Sequence, residues 1–106
     1  MATLSDFQAI DLRVATVLAA EVHPNADRLL VLRVDVGGTE RQIVAGIRSS
    51  YDPAALVGKR VVVVANLDAA TLRGVESQGM LLAARDGDRL VVVTVDDAVS
   101  PGSKVS

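Results

Sequence analysis

The sequence predicts an all-β protein: a five-stranded antiparallel barrel with short helices and an extra strand near the C-terminus. Three observations carry this reading. Leu12 to Val22 alternates with period two over a long run. The elements follow the order of three strands, a short helix and two strands. Several runs are so rich in valine that an open sheet would present apolar, unpaired edges, which barrel closure removes.

Ser5 with Gln8 three residues on reads as a capping box opening a single helical turn that buries Phe7 and ends at Asp11. The first strand, Leu12 to Val22, places Leu12, Val14, Thr16, Leu18, Ala20 and Val22 on one face and Arg13, Ala15, Val17, Ala19 and Glu21 on the other. A strand of this length is expected to curve and serve two parts of a barrel. HPNAD (His23–Asp27) is a turn. The second strand spans Leu29 to Val36, with Leu30, Leu32, Val34 and Val36 facing one way. Gly37-Gly38 is a hairpin signal leading to a third strand, Glu40 to Ile47. Asp52 caps a short helix with Pro53 at its first position and Gly58 past its end. The fourth strand is Lys59 to Leu67 and the fifth Gly79 to Ala84. A turn at Asp86-Gly87 precedes a further run, Leu90 to Val95. A helix between the third and fourth strands of a small antiparallel barrel is the arrangement of an OB-fold.

The 106 residues suit one domain, residues 1–106, with a barrel core over 11–84 and a C-terminal extension over 86–106. Half the residues are apolar and none is cysteine, which excludes disulfides, thiol catalysis and thiolate metal sites. Absence of a membrane-length apolar run and of signal-peptide features at MATLSDFQAI points to a cytoplasmic protein without a membrane partner. Net charge is −2, but nine basic residues face seven acidic ones between Arg13 and Arg85. A locally basic face on an acidic protein follows.

No catalytic set is legible. His23 is the lone histidine and reads, with Pro24, as a loop-shaping residue. Ser49, Ser50 and Ser77 lack a base and an orienting group. No metal-ligand spacing and no phosphate loop occurs, so neither metal nor cofactor is implied and the chain is not read as an enzyme. Binding is the remaining class. OB-folds commonly bind nucleic acid or oligosaccharide. Phe7 and Tyr51 are the whole aromatic complement, so base stacking and sugar platforms cannot supply the affinity. Recognition of shape and backbone by arginines, amides and hydroxyls remains, which suits folded RNA.

DLRVATV (Asp11–Val17), HPNADRLLVLRVDVG (His23–Gly37), RQIVAGI (Arg41–Ile47), LVGKRVVVVANL (Leu56–Leu67), LRGVESQGMLLAA (Leu72–Ala84) and VSPGSKV (Val99–Val105) follow one another along the whole chain. In these segments the sequence resembles the tRNA-binding domain that occurs as a stand-alone dimer and as the C-terminal appendage of bacterial methionyl-tRNA synthetases. The resemblance implies an OB-fold, homodimerisation, and non-catalytic binding of tRNA by its structure, alone or with an aminoacyl-tRNA synthetase. It places Asn25, Arg28, Arg33, Arg41, Gln42, Arg73, Ser77, Gln78 and Met80 on the RNA face. Ala45 stands before Gly46 where the family often has Ser, so a hydroxyl contact is lost there. A secretion-linked, protein-binding chaperone of the same fold is the alternative.

Each residue also has a plainer role. Ser77 and Gln78 can close their own loop's backbone. Arg28 can pair with Asp27 or Glu21, and Arg33 and Arg41 with Asp35 and Glu40 across strands. Met80 can be core, Asn25 a turn residue and Arg73 a solvated charge. The run from Leu90 is apolar on both faces, one more than a terminal strand needs. Leu90, Val91, Val92, Val93 and Val95, with Leu4 and Phe7, are therefore the expected dimer interface.

Overall fold

The structure, a computed structural model, describes residues 1–106. In chain order the elements are α1 (Leu4–Gln8), β1 (Leu12–Val22), β2 (Leu30–Asp35), β3 (Glu40–Ala45), α2 (Pro53–Leu56), β4 (Arg60–Val64), β5 (Ala70–Leu72), β6 (Val75–Ser77), β7 (Met80–Leu81), β8 (Ala83–Asp86), β9 (Arg89–Val92) and β10 (Lys104–Val105). The principal sheet runs β3-β2-β1-β4-β7, with β10 also paired to β1. It curls into a nearly closed, all-β barrel of OB type, as the order of elements predicts.

β1 organises the sheet. Its first half, Leu12 to Thr16, pairs antiparallel with β4, and its second half, Thr16 to Val22, with β2. The long alternating run thus serves two parts of the barrel. The register shifts between Val17 and Ala19, so Leu18 is an extra residue on the β1 side. This bulge divides each face read from simple alternation: Ala15 and Val17 point into the core before it, and Ala20 packs on the core after it. Leu18 is left exposed.

The core joins Ala15 and Val17 to Leu30, Leu32 and Val34 of β2, Ile43 and Ala45 of β3, Val61 and Val63 of β4, and Leu81 of β7. Leu56 of α2 inserts among them, fully buried. α2 forms as expected: Asp52 accepts the Ala54 N–H at 3.1 Å, Pro53 opens the helix, and Gly58 follows with φ +88°. At Gly37-Gly38 both residues have positive φ, and Val36 N–H donates to Thr39 O at 2.8 Å, closing a two-residue hairpin.

Three local expectations are corrected. The N-terminal box is Thr3 with Asp6, not Ser5 with Gln8: Thr3 N–H donates to Asp6 Oδ2 at 2.9 Å and Asp6 N–H to Thr3 Oγ1 at 3.1 Å. Phe7 is 46% exposed, because α1 buries no residue. Asn66 tethers the end of α1, donating to Ala9 O and accepting from Asp11 N–H, both at 2.8 Å. The fifth strand is two pieces. Met80 and Leu81 pair with β4, then Ala83 to Asp86 turns away to pair with β9. The intervening β5–β6 hairpin was not legible in the sequence.

The C-terminal segment is part of the sheet rather than an addition to a finished barrel. Gly102 N–H donates to Val14 O at 2.7 Å, Val14 N–H to Ser103 O at 2.9 Å, and Lys104-Val105 pairs with Leu12-Arg13. The β8–β9 hairpin docks through two hydroxyls: Leu90 N–H donates to Ser50 Oγ at 2.9 Å and Val92 N–H to Tyr51 Oη at 3.0 Å. Leu90 and Val92 pack on the core, whereas Val91 and Val93 are exposed.

Gly79 fixes where the fifth strand begins. It has φ +143°, and a Cβ there would lie 2.8 Å from Val64 O, on the β4 backbone. Gly79→Ala is expected to destabilise the fold by at least roughly 1–3 kcal/mol from backbone strain alone. The check is urea unfolding: the midpoint should fall while the m-value stays unchanged.

Candidate nucleic-acid interface

β3 lies at one end of the sheet order, so its outer edge needs partners for its N–H and C=O groups. The segment from Glu76 to Gly79 supplies them with side chains. Gln42 N–H donates to Gln78 Oε1 at 2.9 Å, and Gln78 N–H donates to Gln42 O at 2.7 Å. Gln42 Nε2 donates to Glu76 O at 2.8 Å. Val44 N–H donates to Ser77 Oγ at 3.0 Å, and that hydroxyl donates to Gly79 O at 3.0 Å. Ser77 is buried and both its hydrogen-bonding roles are filled, so it closes the barrel and offers nothing to a ligand. Gln78 uses its oxygen in the same stitch, while its amide nitrogen stays on the exposed side.

The stitch holds a flat outer face in register. One row across the strands is Ala19 (β1), Arg33 (β2) and Gln42 (β3); the next is Glu21, Val31 and Val44. Val31 and Val44 are each 7% exposed and form the floor. Arg33 Nε lies 3.5 Å from Glu40 Oε2, the cross-strand pairing anticipated for it. Both side chains are more than half exposed, so the pair is weak and the guanidinium remains available.

Beside this face stand the β1–β2 loop and the β5–β6 hairpin, locked together. His23 is buried; its Nδ1 accepts the Asn25 N–H at 2.9 Å and its Nε2 donates to Leu72 O at 2.9 Å. Those partners fix the tautomer and confirm the loop-shaping role. The hairpin tip, Arg73-Gly74, has φ of +52° and +89°, and Arg73 Nη2 donates to Asn25 O at 3.2 Å. Asn25, Arg28 and Arg73 thereby line one hollow of about 320 Å³. Arg28 pairs with neither Asp27 nor Glu21, since the chain's ion pairs are Arg13–Asp11 and Arg33–Glu40. Arg28 also lines a larger hollow of about 550 Å³ with Arg85. Arg85 was missed in the sequence because it sits in the strand–turn segment assigned to the barrel's end.

Two anticipated residues lie apart. Arg41 stands opposite Val34, a core-facing position, at the far end of β3. Its guanidinium donates to Ala65 O and lines a separate hollow with Asp11, Arg13 and Gly102. Met80 is 47% exposed, not core, and borders an apolar hollow of about 390 Å³ with Val44, Ile47 and Leu82.

A small OB-type barrel with arginine-bearing loops is of a class that commonly binds oligonucleotides or oligosaccharides. The comparisons narrow it. The tRNA_bind family, "Putative tRNA binding domain", matches residues 12–104, and the chain belongs to that family. It is 58% identical over 104 residues to the methionine–tRNA ligase of Thermotoga maritima, covering 98% of this chain and 16% of that protein. The methionine–tRNA ligase of Pyrococcus furiosus is 48% identical over 97% of the chain and 14% of its own length. The chain therefore spans a small part of these relatives. The fold superimposes with a TM-score of 0.93 on a MetRS-related protein from Pyrococcus horikoshii, at 34% identity over 100% and 98% of the two chains. It superimposes at 0.91 on the chaperone CsaA of Bacillus anthracis, at 30% identity over 100% and 99%. No helix is long and apolar enough to cross a membrane.

The two neighbouring polar residues separate in experiment. Ser77→Ala leaves Val44 N–H buried without a partner and should cost about 1–3 kcal/mol of stability. Gln78→Ala leaves Gln42 N–H within reach of water and should cost less than about 1 kcal/mol. Thermal unfolding of both variants followed by circular dichroism decides this; equal losses would contradict the assignment.

Proposed function

We propose that this chain is a non-catalytic tRNA-binding module that recognises folded RNA through the outer face of β1, β2 and β3 and the adjoining loops. The observation that carries the reading is the convergence of Asn25, Arg28 and Arg73 on one hollow, with Asp27 at its wall, in a chain of the tRNA-binding domain family; Arg33 and Gln42 line a second hollow on the outer face. Arg28 and Arg73 have no carboxylate partner and are available to phosphates. The likeness to methionine–tRNA ligases supports a role beside an aminoacyl-tRNA synthetase, either within one chain or in trans. Arg41 is then a structural residue, held on Ala65 O away from the RNA.

Affinity for tRNA should fall steeply with salt, because phosphate neutralisation releases counterions. Arg28→Ala should weaken binding to all tRNAs alike, by roughly threefold to tenfold at low salt, and flatten the salt slope by about one unit. Arg41→Ala should leave the slope unchanged. Mobility-shift titrations at several salt concentrations measure both effects. Binding of unstructured RNA of the same length with equal affinity would remove shape recognition from the proposal.

The reading includes a homodimer. Leu90 and Val92 are committed to the chain's own core, so the outward Val91 and Val93, with Leu4 and Phe7, are the contact surface proposed. Sedimentation velocity at micromolar concentration should give a dimer for the wild type and a folded monomer for Val91→Glu/Val93→Glu.

The apolar hollow at Met80 and the likeness to CsaA favour one second reading, capture of an unfolded polypeptide. It predicts suppression of aggregation of a denatured client with little salt dependence. Met80→Asp should abolish that activity and spare tRNA binding.

A further inference from the structure

The cleft on the outer face contains a group that a purely phosphate-binding surface would not place there. Ala19, Ala20, Glu21, Val31, Arg33 and Gln42 line a hollow of about 210 Å³. Glu21 is exposed, forms no ion pair and makes no side-chain hydrogen bond, although Arg28 and Arg33 are close in sequence or register. A free carboxylate repels phosphate. An RNA seated on this face would have to leave Glu21 uncompensated or present a hydrogen-bond donor to it.

The rest of the cleft fits the second case. Gln42 spends its Nε2 on Glu76 O, so its side-chain oxygen is left as an acceptor. Val31 gives an apolar floor, and the methyl side chain of Ala19 leaves space above it, while Ala20 turns its methyl to the core. Arg33 stands diagonally across β1–β2 from Glu21: Glu21 is opposite Val31, and Ala19 opposite Arg33. Diagonal neighbours on a sheet face lie about 7–8 Å apart along the backbone, so both long side chains can reach one flat heterocycle seated above the sheet. The cleft therefore offers two carboxylate oxygens from Glu21, an apolar floor, and the Arg33 guanidinium, whose Nε is already near Glu40 and whose terminal nitrogens are left for a ligand.

We propose that this cleft binds one unpaired guanine of the RNA. Its N1–H and N2–H donate to the Glu21 carboxylate, and its O6 and N7 accept from Arg33. Guanine alone among the four bases presents two adjacent donors on one edge and two adjacent acceptors on another. Adenine and cytosine offer Glu21 a single amino group, and uracil a single imino proton. The ring lies over Val31 and the Ala19 methyl, an apolar seat on a face without aromatics. Specificity for an extruded guanine is thereby added to recognition of tRNA shape; the inference rests on the RNA face proposed above.

The sign of one substitution tests it. Glu21→Gln removes a negative charge from an RNA-binding face. If Glu21 is only a surface carboxylate, tRNA binding tightens or stays equal, and the proposal is overturned. If it reads guanine, binding to total tRNA weakens by roughly tenfold despite the lost repulsion. Glu21→Asp, which keeps the charge but withdraws it, should weaken binding as well. A second arm uses GMP, AMP, CMP and UMP in amide NMR titrations of the wild type. GMP should shift the Ala19, Val31 and Gln42 resonances, and the other nucleotides should not. Equal shifts from all four, or GMP shifts that persist in Glu21→Gln, overturn it. Tight wild-type binding to tRNA with a strengthened Glu21→Gln variant rejects the guanine site and leaves the tRNA reading intact. Absence of wild-type binding rejects both.

Discussion

The barrel depends on how the outer edge of β3 is closed. No full-length strand pairs with that edge; consecutive groups of the β6–β7 connection stand in for one. Gln78 exchanges two hydrogen bonds with the Gln42 backbone, one through its own N–H and one through its side-chain oxygen, as a strand residue would through its main chain. Ser77 repeats the device one step along, receiving Val44 N–H and handing its own proton to Gly79 O. The connection then reaches β4, where only glycine fits against Val64 O. Residues 76 to 79 thus bridge the two ends of the sheet, and a polar stretch at the start of a core strand has its physical reason there.

That closure also sets the chemistry available outside. Gln42 is pinned at its backbone and its amide, so it cannot reorient to meet a ligand. His23 and Arg73 hold the β1–β2 loop against the β5–β6 hairpin. The arginines divide accordingly. Arg13 and Arg41 are engaged with backbone carbonyls at the other end of β1 and β3. Arg28 and Arg85 form no ion pair and share a hollow that Asp88 also lines. An overall charge of −2 is compatible with anion binding where guanidiniums without an ion pair share a hollow, as Arg28 does with Arg73 and with Arg85.

Much of this was legible in the sequence where burial dictates pattern. β1 spans Leu12–Val22 as alternation indicated, and β2, α2 and the Gly37-Gly38 turn followed from spacing and turn chemistry. What failed was local irregularity. A bulge at Leu18 inverts the inward face, and nothing in an alternating run marks where an extra residue enters. β5 and β6 are three residues each, too short to show a period, and their turn puts Arg73 at φ +52°, a conformation no propensity argument assigns to arginine. Of the site residues, Asn25, Arg28 and Arg73 line one hollow, and Arg33 and Gln42 another. Ser77 carries the same composition signal but is consumed by the fold, because a hydroxyl that satisfies a backbone N–H looks in sequence like one that meets a ligand.

The scarcity of aromatics then decides what kind of RNA such a face favours. A flexible single strand gains most of its binding energy from base stacking, which offsets the entropy of ordering it. Phe7 lies on α1, and Tyr51 packs against the core with its hydroxyl accepting the Val92 N–H. A floppy strand on this face would lose its conformational freedom for phosphate contacts alone. A folded RNA has already lost that freedom and presents phosphates at fixed spacing, which rigidly held arginines and amides can match. The same rigidity makes the mixed signs useful. On the proposed reading, cations at Arg28 and Arg73 favour phosphates where the fold of the RNA places them, and the carboxylate of Glu21, which forms no ion pair, disfavours them in its own cleft. A surface that repels phosphate at one point and attracts it at its neighbours discriminates by the pattern of charge, which net basicity cannot do.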